Sequence, residues 1–381
     1  MFYSFTSKRS LVKPLILASL FIFLTGCVLS QGPISTQAVP PTPLSPPPAL
    51  TSTFPPPTDT PGVTFRPLSD VFDANHRLAR TVNLGNALEA PHEGEWGVFL
   101  KEEYFQRIAA AGFTAVRIPI AFSYHAQVDP PYGIDPTFLD RIDWAVQTAN
   151  KYGLVAIVDL HNFPEIMTDP AGERGRFLAL WKQVSDHFQS VPDSQVYFEL
   201  LNEPNGALDD SQWNNLASET ILLVRQTNPD RPILVGPSSW NSFDHLNDLV
   251  LPADSNLIVT FHYYLPFHFT HQGAEWVDGS NAWLGTLWNA NAFDQAAIAS
   301  DFDSVVRWAA KHNRPIFLGE FGSYSKGDMT SRVLWTTAVR SAAEQRGFAW
   351  GYWEFCAGFG IYDPIADQWR QTLLEALIPN R

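Results

Sequence analysis

What this sequence has little of narrows its chemistry first. Cysteine occurs twice in 381 residues, at Cys27 and Cys356, so no disulfide framework can staple the fold. Lysine and arginine together number 25 against 39 acidic residues, a formal charge of −14. Such a balance argues against a nucleic-acid or anionic-membrane surface, since both need clustered basic side chains. No His-Glu-x-x-His motif and no Cys/His cluster at ligand spacing occurs, so neither a catalytic metal nor a cofactor is expected. Long apolar runs are missing too. The run from Leu15 to Leu24 is short for a membrane span.

Tryptophan, by contrast, is plentiful at 13 residues, more than a core of this size needs. Amphipathic ring faces suit sugars, but Trp144, Trp181, Trp308 and Trp335 fall inside helical patterns and read as core. The most distinctive stretch is Val196-Tyr197-Phe198-Glu199-Leu200-Leu201-Asn202-Glu203-Pro204. Its first six residues are strand-length and mostly apolar. Pro204 cannot donate to a ladder, so the strand should end there with Glu203 held extended in front of it. A second stretch repeats the design, Pro315-Ile316-Phe317-Leu318-Gly319-Glu320-Phe321-Gly322. A carboxylate at the end of a buried strand is costly to desolvate and usually has a function. Two of them facing each other are what glycoside hydrolysis needs. The bland alternative is two unrelated glutamates, each capping a helix or pairing an arginine.

The remainder of the chain bears on that choice. Residues 1–26 read as an export signal, with Lys8, Arg9 and Lys13 ahead of the apolar run. Leu24-Thr25-Gly26-Cys27 resembles a bacterial lipobox, which implies lipidation at Cys27 and an extracytoplasmic, membrane-anchored protein. Residues 27–65 are rich in Pro, Ser and Thr and read as a semi-rigid linker. From 66 to 381, strand-like and helix-like patterns alternate: 81–88 then 101–111, 114–120 then 136–151, and 154–161 then 174–188. They continue as 196–203 then 211–227, 232–236 then 243–249, and 256–264 then 293–312. The last are 315–321 then 330–346, and 348–355 then 368–377. Eight such units predict an α/β fold, a single (β/α)8 TIM barrel, with its active site at the C-terminal ends of the strands.

Polar residues gather at those ends: Asn86 and Glu89, Arg117, His161-Asn162, Asn202-Glu203, Ser238 to Trp240, His262 and Tyr264, Glu320, and Trp353-Glu354. Glu203 is the expected acid/base and Glu320 the expected nucleophile of a retaining pair. Arg117 and Tyr264 could hold Glu320 ionised, Asn202 could bind a sugar 2-hydroxyl, and Trp353 could floor the subsite. Trp240, Asn241 and His268 fit loop packing equally well, and Cys356 reads as a buried small hydrophobe.

These residues resemble glycoside hydrolase family 5, the cellulase family. The matching positions are Arg117 in Val-Arg-Ile-Pro, His161, Asn202-Glu203-Pro204, His262, Tyr264, Glu320 in Gly-Glu-Phe-Gly, and Trp353. Residues 85–91 and 269–276 are most similar to thermophilic bacterial endoglucanases that also cleave mannan. The resemblance implies that Asn86, Glu89, Asn162, His271, Trp276 and Glu354 contact sugars flanking the cleavage point. One departure stands out: those relatives carry paired histidines where this chain has His161-Asn162. The implied activity is an endo-acting β-1,4-glucanase on a β-glucan polysaccharide, with a mannanase or xyloglucanase as runner-up. A non-catalytic glycan-binding lipoprotein is the rival class, and it would not need both glutamates. A monomer is expected.

Overall fold

The computed structural model describes residues 65–379. The expected leader, Cys27 and the linker up to residue 64 lie outside the described residues. Eight strands, β1 (Thr81–Asn83), β2 (Ala115–Ile120), β3 (Val155–Leu160), β4 (Val196–Glu199), β5 (Ile233–Val235), β6 (Leu257–His262), β7 (Ile316–Phe321) and β8 (Ala349–Tyr352), pair in sequence order. All neighbours are parallel, and β8 pairs back onto β1 to close the barrel. Every residue of these strands is buried, as a parallel sheet covered on both faces requires.

The helices form where the chain supplies both an apolar face and an N-terminal cap. Asp135, Asp169, Asp209, Asn291 and Asp328 each accept a backbone N–H from the first turn of the helix that follows. Pro136 and Pro170 occupy first turns, where their missing donor costs nothing. Outward strand residues such as Val116, Val158, Phe198 and Leu318 pack with Phe105, Ile142, Trp181, Ile221 and Trp335 in one large core. Inward residues of the lower barrel, Ala115, Ile157, Tyr197, Leu234, Ile258, Phe317 and Ala349, form a second cluster. A helix that the sequence reading did not anticipate, Val71–Arg77, closes that end with Val71 and Ala74. Tyr197 Oη donates to the Ala74 carbonyl at 3.2 Å, and Asn75 Nδ2 donates to the Ile316 carbonyl at 3.0 Å.

Several boundaries differ from expectation. β1 stops at Asn83 rather than 88, because the chain turns at Asn86 around the Glu89 carboxylate. β4 stops at Glu199, and Glu203 is not extended: its φ is +49. The short helix expected in the fifth unit at 243–249 is a 3-10 helix, Phe243–Asp248. Gln368–Trp369 pairs with Tyr362–Asp363 in a small hairpin, so the last helix begins only at Gln371. Among the described residues no helix is long and apolar enough to cross a membrane.

Candidate active site

The inward face changes character two residues above the apolar cluster. On β2 Ala115 gives way to Arg117, on β3 Ile157 to Asp159, and on β4 Tyr197 to Glu199. Parallel register sets Asn83 beside Arg117, Asp159 beside Glu199, and His262 beside Glu320. The pairing slips between Phe261 and His262, and again between Leu318 and Phe321. Such irregularities re-aim side chains. Gly319 leaves room there, since a Cβ would stand 2.5 Å from Thr260 Oγ1 and 3.1 Å from His262 Nε2.

Arg117 is wholly buried and meets three carboxyl groups. Its Nε and Nη2 donate to Glu199 at 2.7 and 3.0 Å, Nη2 lies 3.0 Å from Asp159 Oδ2, and Nη1 donates to Glu320 Oε1 at 2.7 Å. The Asn83 and Asn202 side-chain oxygens each accept from it at 3.0 Å. Burial works against its charge, but Asp159, Glu199 and Glu320 together hold it charged. The other Glu320 oxygen accepts from Tyr264 Oη at 2.9 Å. Burial and the adjacent Glu320 push the Tyr264 phenol well up, so it stays a donor.

Glu203 stands on a left-handed turn that Asn205 Nδ2 secures through the Glu203 carbonyl at 2.8 Å. Its Oε1 lies 2.8 Å from His262 Nδ1, and the same nitrogen is 3.7 Å from Glu320 Oε2. Burial pushes Glu203 up to about 7, against the pull of His161 and Arg117. The side chain remains 28% exposed, so the push is fullest once a sugar covers that edge. Burial draws His262 down to about 4 despite nearby Glu320. One oxygen of Glu203, one of Glu320 and a His262 nitrogen all lie within 4.8 Å of one another. That approach suits the short separation of a covalent, retaining pair better than the gap of about 6.5–9.5 Å that admits a water between inverting carboxyls. The same three donors approach metal-binding spacing, as do Asp210, His245 and Asp248 in a partly exposed group.

The remaining expected residues range from buried to exposed. His161 Nδ1 lies 2.6 Å from Asp159 Oδ2, and its ring stacks on Trp353 with centroids 5.4 Å apart. His271 is buried, stacked on Phe267 at 4.1 Å and edge-on to Tyr264 at 4.9 Å. Trp276 is 62% exposed beside Tyr324 and Phe359. Asn162 is half-buried and donates one amide N–H to the Glu89 carbonyl at 2.8 Å.

Glu89 and Glu354 depart from the expected sugar contacts. Glu89 is buried and accepts the Asn86 and Ala87 backbone N–H groups. Glu354 has no exposed surface and accepts from the backbone of Cys356, Ala357 and Phe359 at 2.7–3.0 Å. Burial pushes them up to about 8 and about 7 respectively. They brace the loops after β1 and β8, each carboxyl being buried and taking two or three backbone N–H groups of its own loop. Cys356 is buried beside them as a free thiol.

The sequence reading missed Asn83, Asp159 and Glu199, which the structure sets around Arg117. Asp159 and Glu199 were legible in principle: each is a carboxyl inside a strand-length apolar run, where desolvation is as costly as it is for Glu320.

Comparison with known proteins places this geometry. Endoglucanase H of Acetivibrio thermocellus is 36% identical over 297 residues, covering 78% of this chain. The chain spans about a third of that relative's length. The crystal structure of Thermotoga maritima Cel5A in complex with cellobiose superposes with a TM-score of 0.79 at 45% identity, covering 81% of this chain and all of that one. The cellulose synthase subunit Z of Clostridioides difficile superposes at 0.76 with 41% identity, over 78% of this chain and 99% of its own. Residues 81–358 match the sequence model of the cellulase family, and the chain belongs to that family, glycosyl hydrolase family 5.

Proposed function

We propose that this protein is a retaining, endo-acting β-1,4-glucanase with Glu203 as acid/base and Glu320 as nucleophile. The observation that carries this reading is the approach of the two carboxyls to within 4.8 Å at the mouth of the barrel. In the first step Glu203 gives its proton to the glycosidic oxygen as that bond breaks, and a Glu320 oxygen bonds to the sugar C1. Arg117 and Tyr264 each hold one Glu320 oxygen, which keeps the carboxylate charged and aimed. In the second step Glu203, now ionised, takes a proton from water, and the oxygen of that water displaces Glu320 from C1. The upward push on Glu203 suits the acid role near neutral pH. Asn202 could meet the sugar 2-hydroxyl with its amide N–H, its oxygen being held by Arg117. Trp353 and His161 would wall the sugar being cleaved.

The names of similar proteins support the glucan reading. Mannan is a second substrate to test, since Thermotoga maritima Cel5A has also been crystallised with mannotriose. The decisive measurement is the anomeric configuration of the product from cello-oligosaccharides, followed by NMR. Initial release of the β-anomer supports the reading, and the α-anomer overturns it.

Outside the described residues we further propose a lipid anchor at Cys27, a linker to residue 65 and an extracytoplasmic location, with the catalytic domain acting as a monomer. The lipobox-like Leu24-Thr25-Gly26-Cys27 supports this. Stable anchoring takes more than one acyl chain. Fatty-acid labelling should mark the wild type and not Cys27→Ala; equal labelling would exclude the anchor.

A further inference from the structure

The segment after β5 is built in a way that the catalytic pair does not by itself explain. Ser239, Trp240 and Asn241 are three consecutive non-glycine residues with φ of 58, 60 and 53. Left-handed backbone costs such residues roughly 1–2 kcal/mol each, so something holds them there. Two ties do so: the Trp240 N–H donates to the Pro204 carbonyl at 3.1 Å, and Ser242 bridges to His262 in parallel fashion. The turn is thus fastened to the residue after Glu203 and to the strand end that bears His262.

The turn delivers the Asn241 side chain, wholly buried, against that histidine. Asn241 Nδ2 lies 3.4 Å from His262 Nε2, a long contact, and its oxygen lies over Gly236 with no hydrogen-bond partner. A Cβ at Gly236 would come within 2.5 Å of that oxygen, so the glycine makes the space. On its other side His262 presents Nδ1 to Glu203 Oε1 at 2.8 Å. A neutral imidazole has one N–H and one acceptor nitrogen. With a carboxyl oxygen facing Nδ1 and an amide N–H facing Nε2, the proton belongs on Nδ1. The charged and titratable groups around the ring are Glu203 and Glu320, with Arg117, Glu199 and His161 farther out.

We propose that Asn241 is a positioning residue that locks His262 as the Nδ1–H tautomer and thereby keeps the Glu203 proton available to the leaving group. In this tautomer His262 can only donate to Glu203 Oε1, so the acidic proton sits on the other oxygen. With the tautomer released, Nδ1 becomes an acceptor, and the Glu203 proton can be parked on it. The inference rests on Glu203 acting as the acid, as proposed above.

The test compares Asn241→Gly and Asn241→Asp with wild type and with Glu203→Ala as reference. Glycine and aspartate both tolerate positive φ, while the first deletes the donor and the second replaces it with an acceptor. kcat/KM is measured on cellotetraose, whose leaving group needs a proton, and on dinitrophenyl cellobioside, whose leaving group does not. Both Asn241 variants should lose about tenfold or more on cellotetraose, a fraction of what general-acid catalysis contributes, and less than about threefold on the aryl substrate. Equal losses on the two substrates, or none on either, overturn the proposal. If Glu203→Ala itself lacks this leaving-group dependence, it is the acid/base assignment that fails. Should the variants not fold, nitrogen-15 spectra of wild-type histidines decide, with the His262 signals assigned by their loss in His262→Gln. A protonated Nδ1 and bare Nε2 support the lock, and the reverse tautomer refutes it.

Discussion

The two ends of the barrel interior are made by the same strands, two to four residues apart, and obey opposite rules. At the N-terminal end Ile157, Tyr197, Leu234, Ile258 and Phe317 pack against the helix Val71–Arg77. Each large side chain buried there contributes roughly 1.5–3 kcal/mol. At the C-terminal end the same strands carry Arg117, Asp159, Glu199, His262 and Glu320, all of them buried. Desolvating these charges consumes much of what their pairing returns, so this layer is held in place by the scaffold rather than holding it together. The contrast shows stability and chemistry separated along one axis, with the apolar layer supplying the rigidity that the charged layer needs.

Four perturbations would break or sharpen that separation. The largest effect belongs to the nucleophile. Glu320→Gln should reduce kcat by about 10⁴-fold or more while leaving oligosaccharide Kd, read by calorimetry, within a few-fold. Retained turnover would reassign the nucleophile.

Next comes a matched pair across the two layers. Leu234→Ala, in the apolar end, should cost about 2–5 kcal/mol in denaturant unfolding with kcat per folded molecule unchanged. Arg117→Leu, in the charged end, strands Asp159, Glu199 and Glu320 without their cation. It should cost about 3–5 kcal/mol and abolish activity as well. If Leu234→Ala impaired kcat as much as stability, the layers would not be separable.

A smaller effect is expected in the pH profile. Glu203 must hold a proton for the first step, and its environment raises it from 4.5 to about 7. Its protonated fraction is therefore full below that value and lost as pH rises through it, so kcat/KM should fall above about pH 7. Asp159, also pushed up to about 7 by burial, is coupled to it, and the limb reports the set. A descending limb near pH 4.5 would show that the acid is not desolvated.

The smallest effect concerns substrate range. One N–H of Asn162 is already committed to the Glu89 carbonyl, so its oxygen and its second N–H remain for a sugar hydroxyl. A histidine there would bring a longer side chain that can also charge. Asn162→His is expected to raise mannan activity relative to glucan by a few-fold, read as the kcat/KM ratio on matched oligosaccharides. An unchanged ratio would remove Asn162 from specificity.

The sequence by itself determined the parts that depend on near neighbours. Alternating strand-like and helix-like runs, with Asp and Asn caps ahead of the helices, specified eight βα units and hence the end of the barrel where polar residues meet. The ordered set of Arg117, Asn202-Glu203, His262, Tyr264 and Glu320 marked the chemistry, because few other uses account for so many polar groups at buried strand ends. Tertiary structure alone decided the rest. Pro204 argued for an extended Glu203, yet ties from Asn205, His262 and Trp240 hold it in a left-handed turn. The closeness of Glu203 and Glu320 follows from barrel closure and from slips in pairing beside His262 and Glu320, which no local pattern encodes. Glu89 and Glu354 looked like ligands for sugar and lie buried against backbone N–H groups of their own loops, since burial depends on how distant segments fold over them. Asn241 looked like loop packing, and its meaning arises only where the β5 and β6 ends bring it against His262. Propensity and periodicity act over a few residues, whereas distance, burial and proton placement are properties of the closed barrel.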